Sequence, residues 1–263
     1  MDELIITVAS TGGKWKKIDS PYVPMTPEQI IEDVIEAFEV GASLAHIHAR
    51  DEEGNPSFDP KYFTKIIDPI RKRCPILIQI STGHLEGKIQ DKMVPLLKLK
   101  PDMASLNIKG PIEQICMAAE IMKEHGVKPV IEAFDVSMIE TSKEFIKGGI
   151  LEGPLFYEMV FDREREKPRP IILDVEDLVS RIKAMPKESI WSITRGGDNQ
   201  LTLGIMATLL GGHVRVGLED NLYLDSQELA KSSSKFVHRI AGKAKGLGRK
   251  IASVDEARKI LKL

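Results

Sequence analysis

Cysteine is scarce in this chain: two among 263 residues, Cys74 and Cys116, at no metal-binding spacing. That excludes a disulfide scaffold and a thiolate zinc cluster, and both thiols are expected reduced. Neither sign of charge dominates. With 37 basic and 39 acidic side chains the net charge is −2, which removes any general electrostatic case for nucleic acid or an anionic membrane as partner. No apolar run is long enough to span a bilayer, and Met1-Asp2-Glu3-Leu4 lacks the basic-then-apolar pattern of a signal peptide. A cytoplasmic protein is expected. No Pro- or Ser-rich linker and no low-complexity segment divides the chain, so residues 1–263 are read as one domain. No GxGxxG follows the first apolar run and no P-loop is present, which argues against a doubly wound nucleotide-binding sheet.

What the chain does have is alternation. At 42% hydrophobic and 29% charged it can bury a sizeable core. Short apolar runs predict strands at Leu4–Ala9, Leu44–Arg50, Ile76–Ser81, Met103–Ile108, Pro129–Phe134, Leu155–Phe161, Ile190–Thr194 and His213–Leu218. Between them lie helical patterns. Thr26-Pro27-Glu28-Gln29 is a capping box with proline at the first helical position, and Asp59-Pro60 opens the next helix. Further helices are expected over Asp91–Leu99, Ile112–His125, Ser137–Lys147 and Gln200–Leu210, over a segment capped by Asp174, from Ser226, and from Val254 after Ser253. In Ile112–His125, Cys116 falls at helical spacing with Ile112 and Ile115 and is expected in the core. Eight βα units in strict order imply parallel strands closed into a (β/α)8 TIM barrel.

In such a barrel the chemistry sits where the strands end at their C-termini. The second strand ends in Leu44-Ala45-His46-Ile47-His48-Ala49-Arg50. Side chains alternate along a strand, so His46 and His48 share a face. They are either a hydrogen-bonded core pair or two ligands of one metal. Ser81, Thr82, Gly83 and His84 close the third strand, Ser105 and Asn107 the fourth, and Glu132 puts one charge inside the fifth. The eighth strand and its continuation place Arg215, Gly217 and Glu219 on one face, with Asp220 beside them. Buried charges are costly unless paired or metal-bound. Arg215 and Glu132 could form a structural ion pair. Glu219 beside His46 and His48 would complete a His2Glu set with open positions, the pattern of catalytic zinc, though ferrous iron uses the same set. His213 lies at the opposite end of its strand and is read as structural.

These segments, taken in order, resemble the β-keto acid cleavage enzyme family. The resemblance rests on Thr11-Gly12, Pro24 to Pro27, the His46/His48 strand, Gln79 to Gly83, Met103 to Asn107, Gly211 to Arg215 and Gly217 to Asn221, and it runs over nearly the full chain. It implies a zinc-dependent barrel, tetrameric, in which a β-keto acid reacts with acetyl-CoA to give acetoacetate and the CoA ester of the remaining chain. By that resemblance His46, His48 and Glu219 hold zinc, and Arg215 with Asp220 forms the proton-abstracting pair. Ser81, Thr82, Gly83, His84, Ser105 and Asn107 would contact the keto acid, with Glu132 in support. Members that act on 3-keto-5-aminohexanoate place glutamate where Lys14 stands and glycine where His84 stands. Lys14, just past the first strand, is therefore expected to face the far end of the substrate. The rival readings are a zinc hydrolase, which would not need acetyl-CoA, and a non-catalytic barrel that binds small acids.

Overall fold

The computed structural model describes residues 2–83, 89–161, 169–225 and 227–263. Eight parallel strands close into a barrel, in the order β1 (Ile6–Ala9), β2 (Leu44–Ile47), β3 (Leu77–Ile80), β4 (Met103–Leu106), β5 (Lys128–Ala133), β6 (Phe156–Phe161), β7 (Ile190–Arg195) and β8 (His213–Val216), with β8 back against β1. The expected TIM barrel is the fold.

Each strand separates its two faces by the ordinary period of two. The outward residues, among them Val8, Ile47, Ile80, Leu106, Ile131, Tyr157, Ile193 and Val216, join one large apolar cluster with the surrounding helices. The inward residues are layered. At the N-terminal mouth Ile5, Leu44, Leu77, Met103, Val130 and Phe156 form a second, separate apolar cluster. Two residues further along the strands the lumen turns polar, with Thr7, His46, Gln79, Ser105, Glu132, Glu158 and Arg215 all buried.

The helices pack outside: α1 (Pro27–Glu39), α2 (Pro60–Arg73), α3 (Ile89–Leu99), α4 (Ile112–Glu124), α5 (Val136–Lys147), α6 (Ile171–Ala184), α7 (Gln200–Leu209) and α8 (Ser233–Gly246). The capping box at Thr26 forms as its sequence predicts, with Gln29 N–H donating to the Thr26 hydroxyl and the Gln29 amide returning to the cap backbone. A last helix, α9 (Val254–Leu261), presents Ala257 and Leu261 to the apolar mouth and closes it from below.

The structure corrects four details. The second predicted strand breaks at His48: only Leu44–Ile47 pairs in the barrel, and Ala49–Arg50 turns away to pair antiparallel with Pro56–Ser57. Asp174 does not cap its helix. Pro170 holds that position, and Asp174 lies inside the first turn of α6, buried against Arg195 (3.0 Å) and Arg169 (3.4 Å). The last large helix starts at Ser233. A small antiparallel pair, Tyr223–Asp225 with Glu228–Leu229, occupies the chain before it, and Ser226 itself lies outside the described residues. Finally, Cys116 is only half-buried. The inner face of α4 is Ile115, Ala118, Ala119 and Met122, at helical spacing, and Cys116 stands one residue off it beside an exposed Ile112.

Candidate metal centre

His46 and His48 lie at the end of β2 with ring centroids 5.1 Å apart. Glu219, reached from the far end of the chain, meets them both: its carboxylate oxygens are 3.8 Å from His46 Nε2 and 3.4 Å from His48 Nε2. One ligand atom from each of the three lies within 4.8 Å of the others, and all three residues are buried. Zinc–ligand bonds of about 2.0–2.2 Å in a tetrahedron put neighbouring ligand atoms roughly 3.3–3.6 Å apart. Two imidazole nitrogens and a carboxylate oxygen at this spacing fit one divalent ion.

Two glycines make room for Glu219. A Cβ on Gly12 would stand 2.5 Å from Glu219 Cγ, so the β1–α1 loop can pass the ligand only as glycine. Gly217 has φ of +151°, and a Cβ there would stand 2.1 Å from the carbonyl oxygen of Ala9. That close approach brings the turn after β8 onto the end of β1, where Glu219 N–H donates to Ala9 O at 3.1 Å. Trp15 then fixes the backbone from above, its indole N–H donating to Glu219 O at 3.1 Å. Arg50 ties this loop down. Its buried guanidinium donates to the Thr11 hydroxyl and to the carbonyls of Gly12, Trp15 and Gly54.

Beneath the cluster Arg215 gathers three carboxylates. It grips Asp220 with two bonds, Nε to Oδ2 at 2.9 Å and Nη2 to Oδ1 at 3.0 Å, and also donates to Glu219 Oε1 and Glu158 Oε2. Burial opposes its charge, but Asp220, Glu158 and Glu219 outweigh the loss of water and hold the guanidinium ionised well beyond its ordinary range. Burial likewise pushes the Glu219 carboxyl up, and Arg215, His48 and His46 override it, keeping the acid well below the usual carboxylate range. The sequence offers Glu132 as a partner for Arg215; the structure supplies Glu158 instead. Glu132 is on the adjoining strand, in register with Glu158, and its carboxylate approaches Gly83.

The remaining candidates divide. Ser81, Thr82 and Ser105 are buried at the same lip, and Thr82 binds Ser105 twice, N–H to Oγ at 3.0 Å and Oγ1–H to the carbonyl at 2.6 Å. Gly83 N–H reaches the Ser81 hydroxyl at 3.4 Å. Asn107 is exposed and accepts from Lys109 N–H within its own turn, away from the buried group. Lys14 is exposed on the rim with its ammonium 4.4 Å from the centre of the Trp15 ring. His84 lies outside the described residues. His213 is structural as read: buried, with Nδ1 accepting from Ile5 N–H at 3.1 Å. Sequence reasoning misses Glu158 and Arg50. Glu158 is findable as the sole charge in its apolar strand, by the argument that singles out Glu132.

The sequence profile of the family described as beta-keto acid cleavage enzyme matches residues 3–263. A Fusobacterium nucleatum protein named 3-keto-5-aminohexanoate cleavage enzyme is 37% identical, covering 100% of this chain and 99% of its own. A Cupriavidus necator protein named 3-oxoadipate:acetyl-CoA acetyltransferase is 36% identical over 98% of this chain and 94% of its own. Among solved structures, the binary complex of ObcA with oxaloacetate superposes with a TM-score of 0.75 over 93% of this chain and 68% of that one; at 20% identity this likeness speaks to the fold alone. With a profile match over almost every residue and relatives aligned end to end, the chain belongs to the β-keto acid cleavage enzyme family.

Proposed function

We propose that this enzyme uses acetyl-CoA as co-substrate and a zinc ion held by His46, His48 and Glu219 to convert a β-keto acid into acetoacetate and the CoA ester of the remaining chain. One observation carries the reading: a carboxylate, Asp220, clamped by Arg215 and directly following a member of the His2Glu cluster. When bound, the ion supplies Lewis acidity that makes the carbon between the keto and carboxylate groups of the substrate acidic. Asp220 takes that proton. Arg215 aims the carboxylate through its two bonds, while Glu158 on the other side of the guanidinium holds Arg215 in place. The carbanion attacks the thioester carbonyl of acetyl-CoA, and the adduct breaks down by acyl shift and retro-Claisen cleavage. Ser81, Thr82 and Ser105 offer hydroxyls at the lip for the substrate's polar groups, with Glu132 behind them. Relatives named for acetyl-CoA transfer support the co-substrate.

Lys14 reads the far end of the keto acid in this proposal. A cation there disfavours an amino tail and favours a neutral or anionic one, since a desolvated charge mismatch weighs heavily on specificity. The test is a panel of β-keto acids with acetyl-CoA, following acetoacetate, on protein assayed for metal. Acetyl-CoA-dependent acetoacetate and about one zinc per chain are expected. Turnover without acetyl-CoA would mark a hydrolase instead, and full zinc occupancy in His46→Ala/His48→Ala would sink the metal assignment.

A further inference from the structure

A cavity of about 320 Å³ lies outside the barrel between β8, α7 and α8, bounded by Gly197, Val216, Asn221 and Phe236. It is separate from the metal cluster, and one of its lining residues, Asn221, directly follows Asp220 in the chain. Two features mark it as built for a ligand. The first is the start of α7, where the N–H groups of Leu201 and Thr202 precede any carbonyl four residues back in the helix. The second is Gln200, which is 5% exposed, helps line the cavity, and has an Nε2 with no hydrogen-bond acceptor among the described residues.

The orientation of that amide follows from its neighbours. Tyr223 N–H donates to Asn221 Oδ1, which leaves the Asn221 amide nitrogen to donate to Gly197 O at 3.3 Å and to Gln200 Oε1 at 3.4 Å. Gln200 therefore spends its acceptor on Asn221 and keeps its donor for something else. A buried donor without a partner is costly, so a ligand carbonyl there would recover the loss.

Charge selects the ligand class. Among the described residues the cavity carries one cation, Arg239, already committed to Asp225 (2.9 Å) and the Leu224 carbonyl, and a second acid, Asp198. Two acids against one base disfavour a phosphate. Leu201, Val216, Phe236 and Ile240 add apolar wall. Neutral carbonyl acceptors on an otherwise apolar chain suit both. We propose that this cavity takes the pantetheine arm of the acyl-CoA, an uncharged chain carrying amide carbonyls and a dimethyl carbon. Its amide oxygens accept from Gln200 Nε2 and the first turn of α7, and its thioester end passes over Asn221 toward Asp220. The assignment rests on the acetyl-CoA reading above.

The test is calorimetric titration of the zinc-loaded protein with neutral pantetheine and with CoA, in wild type, Gln200→Leu and Thr202→Trp. Thr202 is exposed at the cavity wall, so its substitution obstructs entry without disturbing the core. Pantetheine should bind and compete with CoA. Gln200→Leu should weaken both about five- to tenfold, the usual worth of one neutral hydrogen bond, and Thr202→Trp should weaken both as well. Pantetheine that fails to bind, or variants that bind both ligands as wild type does, would overturn the assignment. Binding is read apart from turnover. Should the arm bind here while no keto acid is cleaved, the acetyl-CoA reaction falls and the cavity assignment stands; should cleavage proceed with an unchanged KM for acetyl-CoA in both variants, the cavity falls and the reaction stands.

Discussion

The two ends of the barrel lumen are built on one backbone and differ by a shift of two residues along each strand. Below, Leu44, Leu77, Met103, Val130 and Phe156 close the interior as an apolar plug under α9. One inward position higher on the same strands stand His46, Gln79, Ser105, Glu132 and Glu158. The lower layer gains its stability from area removed from water. The upper layer gives up that gain and must be held by pairing, which is why Arg215 touches three carboxylates and why Arg50 makes three bonds to the loop after β1 and a fourth to Gly54 in its own hairpin. The lesson is a division of labour: fold from below, chemistry from above.

The sharpest way to break that division is a pair of substitutions with equal cost to stability. Phe156→Ala should lower unfolding free energy by about 3–5 kcal/mol through the cavity it leaves. Arg215→Met should lower it by a similar amount, about 3–5 kcal/mol, because Glu158, Glu219 and Asp220 lose their common cation. Denaturant titration measures both. Activity separates them: the folded fraction of Phe156→Ala should turn over within a few-fold of wild type, and Arg215→Met should be inactive even when fully folded. Equal activity losses would show that the layers are not separable.

Next in size is Asp220→Asn, which keeps shape and removes the carboxylate proposed as the base. The protein should stay folded and keep its metal, with a lowered melting temperature because one of the two Arg215 bonds is lost, while deuterium exchange at the carbon between the keto and carboxylate groups falls about 10²–10⁴-fold. Exchange at the wild-type rate would assign the base elsewhere.

The third prediction uses the polar exception in the lower half. Burial pushes the His213 imidazole down to about 3, with the charge of Arg249 adding to it, from an ordinary value of 6.5. The unfolded chain therefore takes up a proton that the folded chain refuses. The contribution of His213 is complete above pH 6.5 and is lost as pH falls toward 3, at about 1.4 kcal/mol per pH unit. His213→Gln does not titrate, so the stability gap between it and wild type should narrow on acidification. A gap independent of pH between 7 and 4 would mean that the ring is protonated in the fold.

The smallest effect is expected at the rim. Lys14→Glu should move preference from anionic or neutral keto acids toward an amino-tailed one, by about tenfold in kcat/KM, or about 1.4 kcal/mol. An unchanged ranking would remove Lys14 from substrate selection.

Much of this architecture is legible in the amino-acid sequence alone. Short apolar runs alternating with capped helical patterns give the eight strands their places because local hydrophobic pattern and barrel topology agree. His46, His48 and Glu219 stand out because polar residues at strand ends contradict a plain core. Three things do not. Asp174 has the composition of a cap, but Pro170 starts the helix one turn earlier, and the aspartate's real partner, Arg195, is distant in sequence. The helix expected from Ser226 starts at Ser233, displaced by a short hairpin with no strong strand signal. The role of Gly12 depends on Glu219 crossing it from the far end of the chain, a contact that no local pattern encodes.

The crossing made possible by Gly12 has a topological side. His46 and His48 come from β2 and Glu219 from beyond β8, and these strands flank β1, where the last strand meets the first. The three ligands are thus neighbours only in a ring that has shut. A cation held among them spans the seam like a clasp, binding the closed ring and not the open chain, so occupancy converts into resistance to opening by mass action. The residues proposed to hold the ion are thus also placed to lock the ring that carries them.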